Sequence, residues 1–187
     1  MELAVIALGY LILRRSLQDL STGQQAAIAP RAPSPRLKQL TDYADRLYAE
    51  RKWLAAEKAY LSVLKLDHRN VTAYSRLGVI YSTQKNYADA IECFQIAARL
   101  KPSGTTMQNL ALAFYDNRNY MKSVAAYEKS IMFEPTVLRY LGLAKAYRHL
   151  ANTASALEAL DKADELGGAT KTKALRAEIA AEKPAAA

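Results

Sequence analysis

The sequence contains one cysteine, seven glycines and six prolines among its 187 residues. A lone cysteine, Cys93, excludes an internal disulfide and is too few for a zinc cluster, so a reduced compartment is expected. The prolines cluster near the start or follow apolar segments, and glycine is scarce, which leaves long uninterrupted stretches for helices and little for strands. We therefore predict an all-α protein.

Long runs of one charge are also absent. Lysine and arginine outnumber aspartate and glutamate by 26 to 18, which gives a net charge of +8, yet the cations are scattered from Arg14 to Lys183 with acids between them. A nucleic-acid-binding arm would show a basic tract. We expect a solvated basic surface; nucleic-acid binding through it is the disfavoured alternative, and acidic peptides and anionic membranes remain candidate partners.

No set of residues suggests catalysis. Cys93 lies beside Phe94 in an apolar pattern, which favours a buried structural thiol, and neither His68 nor His149 is patterned to act as its base. The Gly167-Gly168 pair lacks the strand and lysine of a phosphate-binding loop, and a helix stop is the simpler interpretation. We expect a protein that is not an enzyme and that uses no cofactor and no metal.

One stretch organises the rest of the chain: YSRLGVIYSTQKNYADAIECFQIAARLKP, from Tyr74 to Pro102. Apolar residues recur at three- and four-residue spacing in two segments, so the stretch predicts two amphipathic helices that face each other. Gln84, Lys85 and Asn86 form the predicted turn between them. The core positions of this pair are Tyr74, Leu77, Gly78, Tyr81, Ala90, Phe94 and Ala97.

The pattern Y-x2-LG-x2-Y, followed by A-x3-F and P, resembles the tetratricopeptide repeat (TPR), with Tyr74 where tryptophan is commonest. The resemblance implies a right-handed α-solenoid of antiparallel helix pairs, and TPR proteins share a way of binding rather than one partner. Residues of the same size classes recur in one repeat before this stretch and in two repeats after it. They occupy Leu40, Tyr43, Ala44, Leu47, Ala56, Tyr60 and Val63; Met107, Leu110, Ala111, Phe114, Ser123, Tyr127 and Ser130; and Tyr140, Leu143, Ala144, Tyr147, Ala156, Leu160 and Ala163.

This register divides the chain into segments. The repeats span residues 37–70, 71–103, 104–136 and 137–168, and residues 169–187 are a capping helix with a frayed tail, in which Thr170 caps the helix and Leu175 and Ile179 form its apolar stripe. Trp53, Tyr87 and Tyr120 open the second helix of three repeats, and Thr153 departs from that rule. The Leu141-Gly142 pair is a false match, because using it as the signature would place Lys145 in the core.

The start of the chain has a different composition. Residues 16–36 are a Pro/Ser/Gln/Ala linker, in which Pro30, Pro33 and Pro35 favour extended conformations. Residues 1–15 contain an apolar run, Leu3 to Leu13, that would span about 16 Å as a helix, short of the roughly 30 Å of a bilayer core. Three interpretations stay open: a short or truncated membrane anchor, a helix that docks on this protein or a partner, and a disordered start. For an anchor, Arg14 and Arg15 place the rest of the chain at the cytoplasmic face.

In this family the first helices of the repeats line a concave groove. The resemblance therefore implies a peptide-binding site made of residues that the core does not use, with an acidic end at Asp42 and Asp45 and a basic end at Lys145 and Arg148. The predicted groove residues are Lys38, Asp42, Asp45, Tyr48, Ser75, Arg76, Val79, Gln108, Asn109, Leu112, Tyr115, Leu138, Leu141, Lys145 and Arg148.

A subset of the family clamps chaperone C-terminal carboxylates with two lysines, two asparagines and an arginine. Here only Asn109 matches, and the other places hold Ser75, Val79, Leu138 and Gly142.

The expected function is a non-catalytic scaffold that binds a peptide or helix of a protein partner and is tethered to a membrane or membrane complex. The alternative is a soluble assembly subunit or co-chaperone-like adaptor whose N-terminal helix docks into a protein partner.

Overall fold

A computed structural model describes residues 34–182. Within that range the secondary structure is entirely helical, so the predicted all-α repeat fold is confirmed. The helices are α1 (Pro35–Ala49), α2 (Trp53–Leu66), α3 (Val71–Thr83), α4 (Tyr87–Leu100), α5 (Gly104–Asp116), α6 (Tyr120–Phe133), α7 (Val137–His149), α8 (Thr153–Glu165) and α9 (Ala169–Glu182). Residues 1–15, the proposed anchor, lie outside the described range.

The chain forms two compact units, divided between Lys101 and Pro102. The first unit contains α1 to α4, and the second contains α5 to α9. In each unit the helices pack as consecutive pairs, α1 on α2 and α3 on α4 in the first, α5 on α6 and α7 on α8 in the second. Connections of three residues join the members of each pair, and such short connections make them antiparallel neighbours.

The turn inside each pair has one backbone design. Its middle residue has a positive φ, between 55° and 61°, and none of the four residues at this place is glycine: they are Arg51, Lys85, Arg118 and Ala151. In the first turn the N–H of Arg51 donates to the carbonyl of Tyr48, and the N–H of Lys52 donates to that of Leu47, both at 3.0 Å. This is the Schellman motif, which satisfies carbonyls at the end of the first helix.

The first described helix begins at Pro35, inside the segment 16–36 that we predicted as a linker. Two local features explain this difference. The hydroxyl of Ser34 accepts a hydrogen bond from the N–H of Leu37 at 3.2 Å, so Ser34 is the N-cap. Proline fits the first position of a helix, because a backbone N–H at that position has no partner within the helix and its absence costs no hydrogen bond. The prediction of extended backbone at Pro35 was wrong because it ignored this cap.

The core of α3 and α4 matches the predicted register. Tyr74, Leu77, Tyr81, Phe94 and the smaller members of the set are all buried, and Cys93 is buried as predicted. At Gly78 an added Cβ would lie 2.7 Å from the Phe94 ring, so a side chain there would collide with the facing helix.

In the first repeat one predicted core residue was wrong. Tyr43 is 49% exposed, whereas Ala44, Leu47 and Tyr60 are buried as expected. Within residues 34–182 no helix precedes α1, so this flank of α1 has no neighbour from an earlier repeat. The aromatic ring therefore stays at the surface although its sequence position fits the core pattern.

The second unit has a core of smaller side chains. Ser123 and Ser130 are buried at predicted core positions, and their hydroxyls donate to the carbonyls of Ala111 at 2.8 Å and Gly104 at 2.7 Å. These bonds satisfy two hydroxyls whose burial without a hydrogen-bond partner would destabilise the folded protein. Other predicted core residues of this unit are only half-buried, namely Met107, Leu110, Tyr140 and Tyr147.

Gly142 has a packing role that the sequence did not reveal. A Cβ added at Gly142 would lie 2.3 Å from Cζ and 2.5 Å from the hydroxyl oxygen of Tyr127. Lys145 is exposed, which agrees with a register that does not use the Leu141-Gly142 pair as the repeat signature. The glycine is nevertheless required, because the ring of Tyr127 on α6 lies against the backbone of α7.

The final helix, α9, packs on α8 and α7. Leu175 and Ile179 are buried as predicted, and Gly167 ends the preceding segment with φ of +83°. The helix begins at Ala169, so Thr170 lies in its first turn and is not the cap. The N–H of Thr172 donates to the carbonyl of Gly168 at 3.1 Å, which shows that the helical hydrogen bonds already start at Gly168.

Candidate functional site

The predicted groove residues lie on the first helix of each pair, and each unit is described by itself. In the first unit they follow α1 and α3, and we call this set the unit-1 face: Lys38, Asp42, Asp45, Tyr48, Ser75, Arg76 and Val79. In the second unit they follow α5 and α7, and we call this set the unit-2 face: Gln108, Asn109, Leu112, Tyr115, Leu138, Leu141, Lys145 and Arg148.

The unit-1 face is held together by an arginine. Nε of Arg76 lies 3.9 Å from a carboxylate oxygen of Asp45, and its guanidinium carbon lies 4.4 Å from the centre of the Tyr48 ring. The hydroxyl of Tyr60, in the core below, donates to Asp45 at 2.5 Å. Burial is the main reason why the pKa of Tyr60 is raised, and this bond to a carboxylate raises it further. Three predicted site residues are therefore in direct contact.

This arrangement changes the electrostatics expected for the first unit. Asp45 was predicted to form an acidic end with Asp42, but Arg76 partly neutralises its charge. Lys38 and Asp42 are exposed, whereas Ser75 and Val79 are half-buried. The unit-1 face is thus a mixed polar surface in which Arg76 and Asp45 already form an ion pair.

The unit-2 face has exposed apolar side chains. Leu112 is 49% exposed and Leu138 is 64% exposed, and Leu141 is half-buried. Their spacing places Leu138, Leu141 and Lys145 along one stripe of α7, which contacts α5. Lys145 is exposed and forms no ion pair within the described part of the chain. Leu138 and Lys145 are therefore exposed on one stripe of α7, and Leu112 is exposed on the helix that α7 contacts.

Other members of the unit-2 face have intramolecular partners. Gln108 accepts a hydrogen bond from Nε of Arg139 at 3.1 Å. Arg148 forms an ion pair with Glu178 of the final helix, so its charge is partly offset. Asn109 is half-buried. The strongly basic end predicted from Lys145 and Arg148 is therefore represented mainly by Lys145.

Arg139 was not singled out by the sequence. It is 4% exposed, and besides Gln108 it donates through Nη1 to the carbonyl and the carboxylate of Glu134, the latter at 3.1 Å. Gly104 makes room for it, because an added Cβ there would lie 2.7 Å from the guanidinium. A buried arginine with these partners holds α7 against the start of α5.

An aromatic cluster at one end of the unit-2 face was also missed. The His149 ring stacks on Tyr120, with centroids 4.4 Å apart and planes 4° apart. Its Nε2 lies 2.9 Å from the hydroxyl oxygen of Tyr115, a predicted site residue. Burial is the main reason why the pKa of Tyr115 is raised, and the neighbouring Tyr120 raises it further. The sequence signal was the aromatic residue that opens the second helix of this repeat.

Cys93 lies on α4, a second helix, and belongs to neither first-helix face. Burial raises the pKa of the Cys93 thiol well above its ordinary value, so this cysteine is held as the unreactive thiol. Residues 34–182 contain no group of three or more histidine, cysteine, aspartate or glutamate side chains arranged to hold a metal ion. No helix in the same range has the length and apolarity needed to cross a membrane.

Comparisons with known proteins agree with this architecture. A family model described as the tetratricopeptide repeat matches residues 71–103. The human RANBP2-like and GRIP domain-containing protein 8 is 30% identical over 93 residues, which cover 49% of this chain and 5% of that protein. A probable UDP-N-acetylglucosamine–peptide N-acetylglucosaminyltransferase, SPINDLY of Arabidopsis thaliana, is 28% identical over 125 residues, or 65% of this chain and 14% of that protein.

Among solved structures, a crystal structure of MamA protein aligns with a TM-score of 0.66 at 24% identity and covers 77% of this chain and 86% of that one. This likeness concerns the fold. The matches to these two curated relatives cover only 5% and 14% of their lengths. The repeat model and the recurring helix pairs show that residues 71–103 are a tetratricopeptide repeat within an array of helix pairs of that fold.

Proposed function

We propose that this protein is a non-catalytic scaffold that binds a peptide or helix of a partner protein on the first-helix faces of its repeats. Tetratricopeptide repeats serve protein interaction through exposed surfaces that stacked helices create. The resemblance to an N-acetylglucosaminyltransferase covers 14% of that enzyme and involves repeats, so it gives no support for transferase activity here.

The exposure of Leu112 and Leu138 on the unit-2 face carries this proposal. Isolated apolar residues at a surface are ordinary, but these two lie on helices that contact each other, with Leu141 and Lys145 beside Leu138. An amphipathic helix places apolar anchors on such a surface. The unpaired Lys145 favours a partner segment that carries a carboxylate near its apolar anchors.

The structure suggests which substitutions test binding without disturbing the fold. Arg76 and Arg148 are poor targets, because each has an intramolecular acidic partner. Leu138→Asp with Lys145→Glu changes two exposed residues of the unit-2 face. Lys129→Glu with Met132→Asp is the matched control, since Met132 is 84% exposed, Lys129 is exposed and both lie on α6 of the same unit.

The test is quantitative affinity purification of the full chain from its native cells, comparing wild type and both double variants. We expect a protein captured by wild type and by the α6 control to be lost, by roughly tenfold or more, from the unit-2 face variant. Circular dichroism should show all three proteins equally helical. Equal capture by all three would refute binding through the unit-2 face.

We further propose that residues 1–15 tether the scaffold to a membrane or membrane complex at its cytoplasmic face. The apolar run Leu3 to Leu13 and the arginines after it support this proposal. Cell fractionation of the full chain and of a variant lacking residues 1–15 tests it. Membrane recovery should depend on the deleted residues. A soluble full chain that purifies without detergent in a defined complex would support the assembly-subunit alternative instead.

A further inference from the structure

One edge of the first unit collects cations that are far apart in the sequence. Because α1 to α4 alternate in direction, the starts of α1 and α3 and the ends of α2 and α4 lie at the same edge. The turns at residues 50–52 and 84–86 lie at the opposite edge. Several exposed cations occupy the first of these edges, and we call five of them the basic edge: Arg36, Lys38, Lys65, Arg69 and Arg99.

The charges of the basic edge are not neutralised within the protein. None of the five cations forms an ion pair within residues 34–182. The acid in the loop of this edge, Asp67, accepts hydrogen bonds from the backbone N–H of Arg69 and the amide of Asn70, both at 3.1 Å. At the opposite edge Lys52 pairs with Glu50 at 2.7 Å. The opposite edge also carries the exposed cations Arg51 and Lys85, so the basic edge is distinguished by its larger number of cations without an ion pair among the described residues.

An apolar residue accompanies these cations. Leu66 is 49% exposed and is next to Lys65 at the end of α2. Cations with an exposed apolar side chain among them suit a surface of anionic headgroups over hydrocarbon. A nucleic-acid backbone would engage the cations but would leave Leu66 in water, so the lipid surface is the better fit.

We propose that the basic edge lies against an anionic lipid surface and so orients the scaffold on the membrane. The inference rests on the proposed membrane location. Ser34 and Pro35 open α1 at this same edge, so the segment proposed as the tether is joined to the first unit there. A weak apolar tether and a basic patch act together, since each alone gives only marginal attachment.

The test is cosedimentation of the full chain with vesicles of phosphatidylcholine alone and with vesicles that also contain phosphatidylserine. Arg36→Glu with Arg69→Glu changes the basic edge at a helix start and in a loop, where glutamate does not oppose the helix dipole. Arg51→Glu with Lys85→Glu is the matched control, because it makes the same charge change at exposed positions of the opposite edge. A variant lacking residues 1–15 completes the set.

We expect wild type and the control to bind phosphatidylserine vesicles at least about tenfold more tightly than the basic-edge variant, because each surface cation contributes measurably to such binding. The difference should vanish in high salt. Binding to phosphatidylcholine should depend on residues 1–15, and its absence would count against the tether alone. Equal phosphatidylserine binding by both double variants would overturn the proposal. So would binding to a DNA duplex that depends on the basic edge, if vesicle binding does not.

Discussion

Gly142→Ala should destabilise the second unit, although alanine is the better helix former. The new Cβ would lie 2.3 Å from Cζ of Tyr127, whereas carbon atoms pack at about 3.5 to 4.0 Å. Tyr127 is 5% exposed, so its ring must move by more than about 1 Å within a packed core. Overpacking of this kind costs about 1 to 3 kcal/mol, and alanine returns about 1 kcal/mol of helix propensity. The net loss should be up to about 2 kcal/mol.

Urea denaturation followed by circular dichroism measures this loss. Tyr127→Leu and the double variant complete a mutant cycle, and in the leucine background Gly142→Ala should become neutral or stabilising because the colliding ring is gone. A single variant that is more stable than wild type by about 1 kcal/mol would refute the reasoning, since that is the value for an unobstructed helix site.

Three further predictions use the same denaturation assay. Phe94→Ala should cost about 3 to 5 kcal/mol because it leaves a cavity against Gly78, and a near-neutral result would contradict the core assignment. Lys85→Gly should stabilise by up to about 1 kcal/mol, and Lys85→Val should destabilise, because φ is +61° at this turn and a Cβ is strained there. Burial raises the pKa of Tyr127 to about 12, above the roughly 10 of the unfolded chain, so its contribution is intact below pH 10 and is lost as the pH rises to 12; Tyr127→Phe should flatten that loss.

The core of the second repeat could be predicted because its sequence carries the packing directly. Large residues and small residues alternate across α3 and α4, and Gly78 faces Phe94 as the pattern requires. Local rules failed at the start of the described chain. Tyr43 occupies a core position whose neighbour is missing from residues 34–182, and Pro35 opens a helix because Ser34 caps it.

The candidate faces were predictable only as sets of positions. The repeat register assigns residues to the first-helix surfaces, but it does not say which of them neutralise one another. Asp45 and Arg76 are 31 residues apart, and Arg148 and Glu178 are 30 apart, so each pair forms only because helices of successive segments pack side by side. These contacts decide that the leucines and Lys145, rather than the arginines, are available for a partner.

The basic edge shows the same limitation. Its cations extend from Arg36 to Arg99 without forming a run, and for that reason the sequence suggested an evenly solvated basic surface. Alternating helix directions bring residues from helix starts and helix ends to one side of the unit. A reading of consecutive charges cannot detect such an arrangement.

Site-specific photo-crosslinking in native cells tests the central claim most directly. A photoreactive residue replaces Leu138 on the unit-2 face in one full-length variant and Met132 on α6 in another, since both side chains are highly exposed. We expect a discrete crosslink to a partner protein from position 138 and none from position 132. Equal crosslinking from both positions, or crosslinking from position 132 alone, would contradict it.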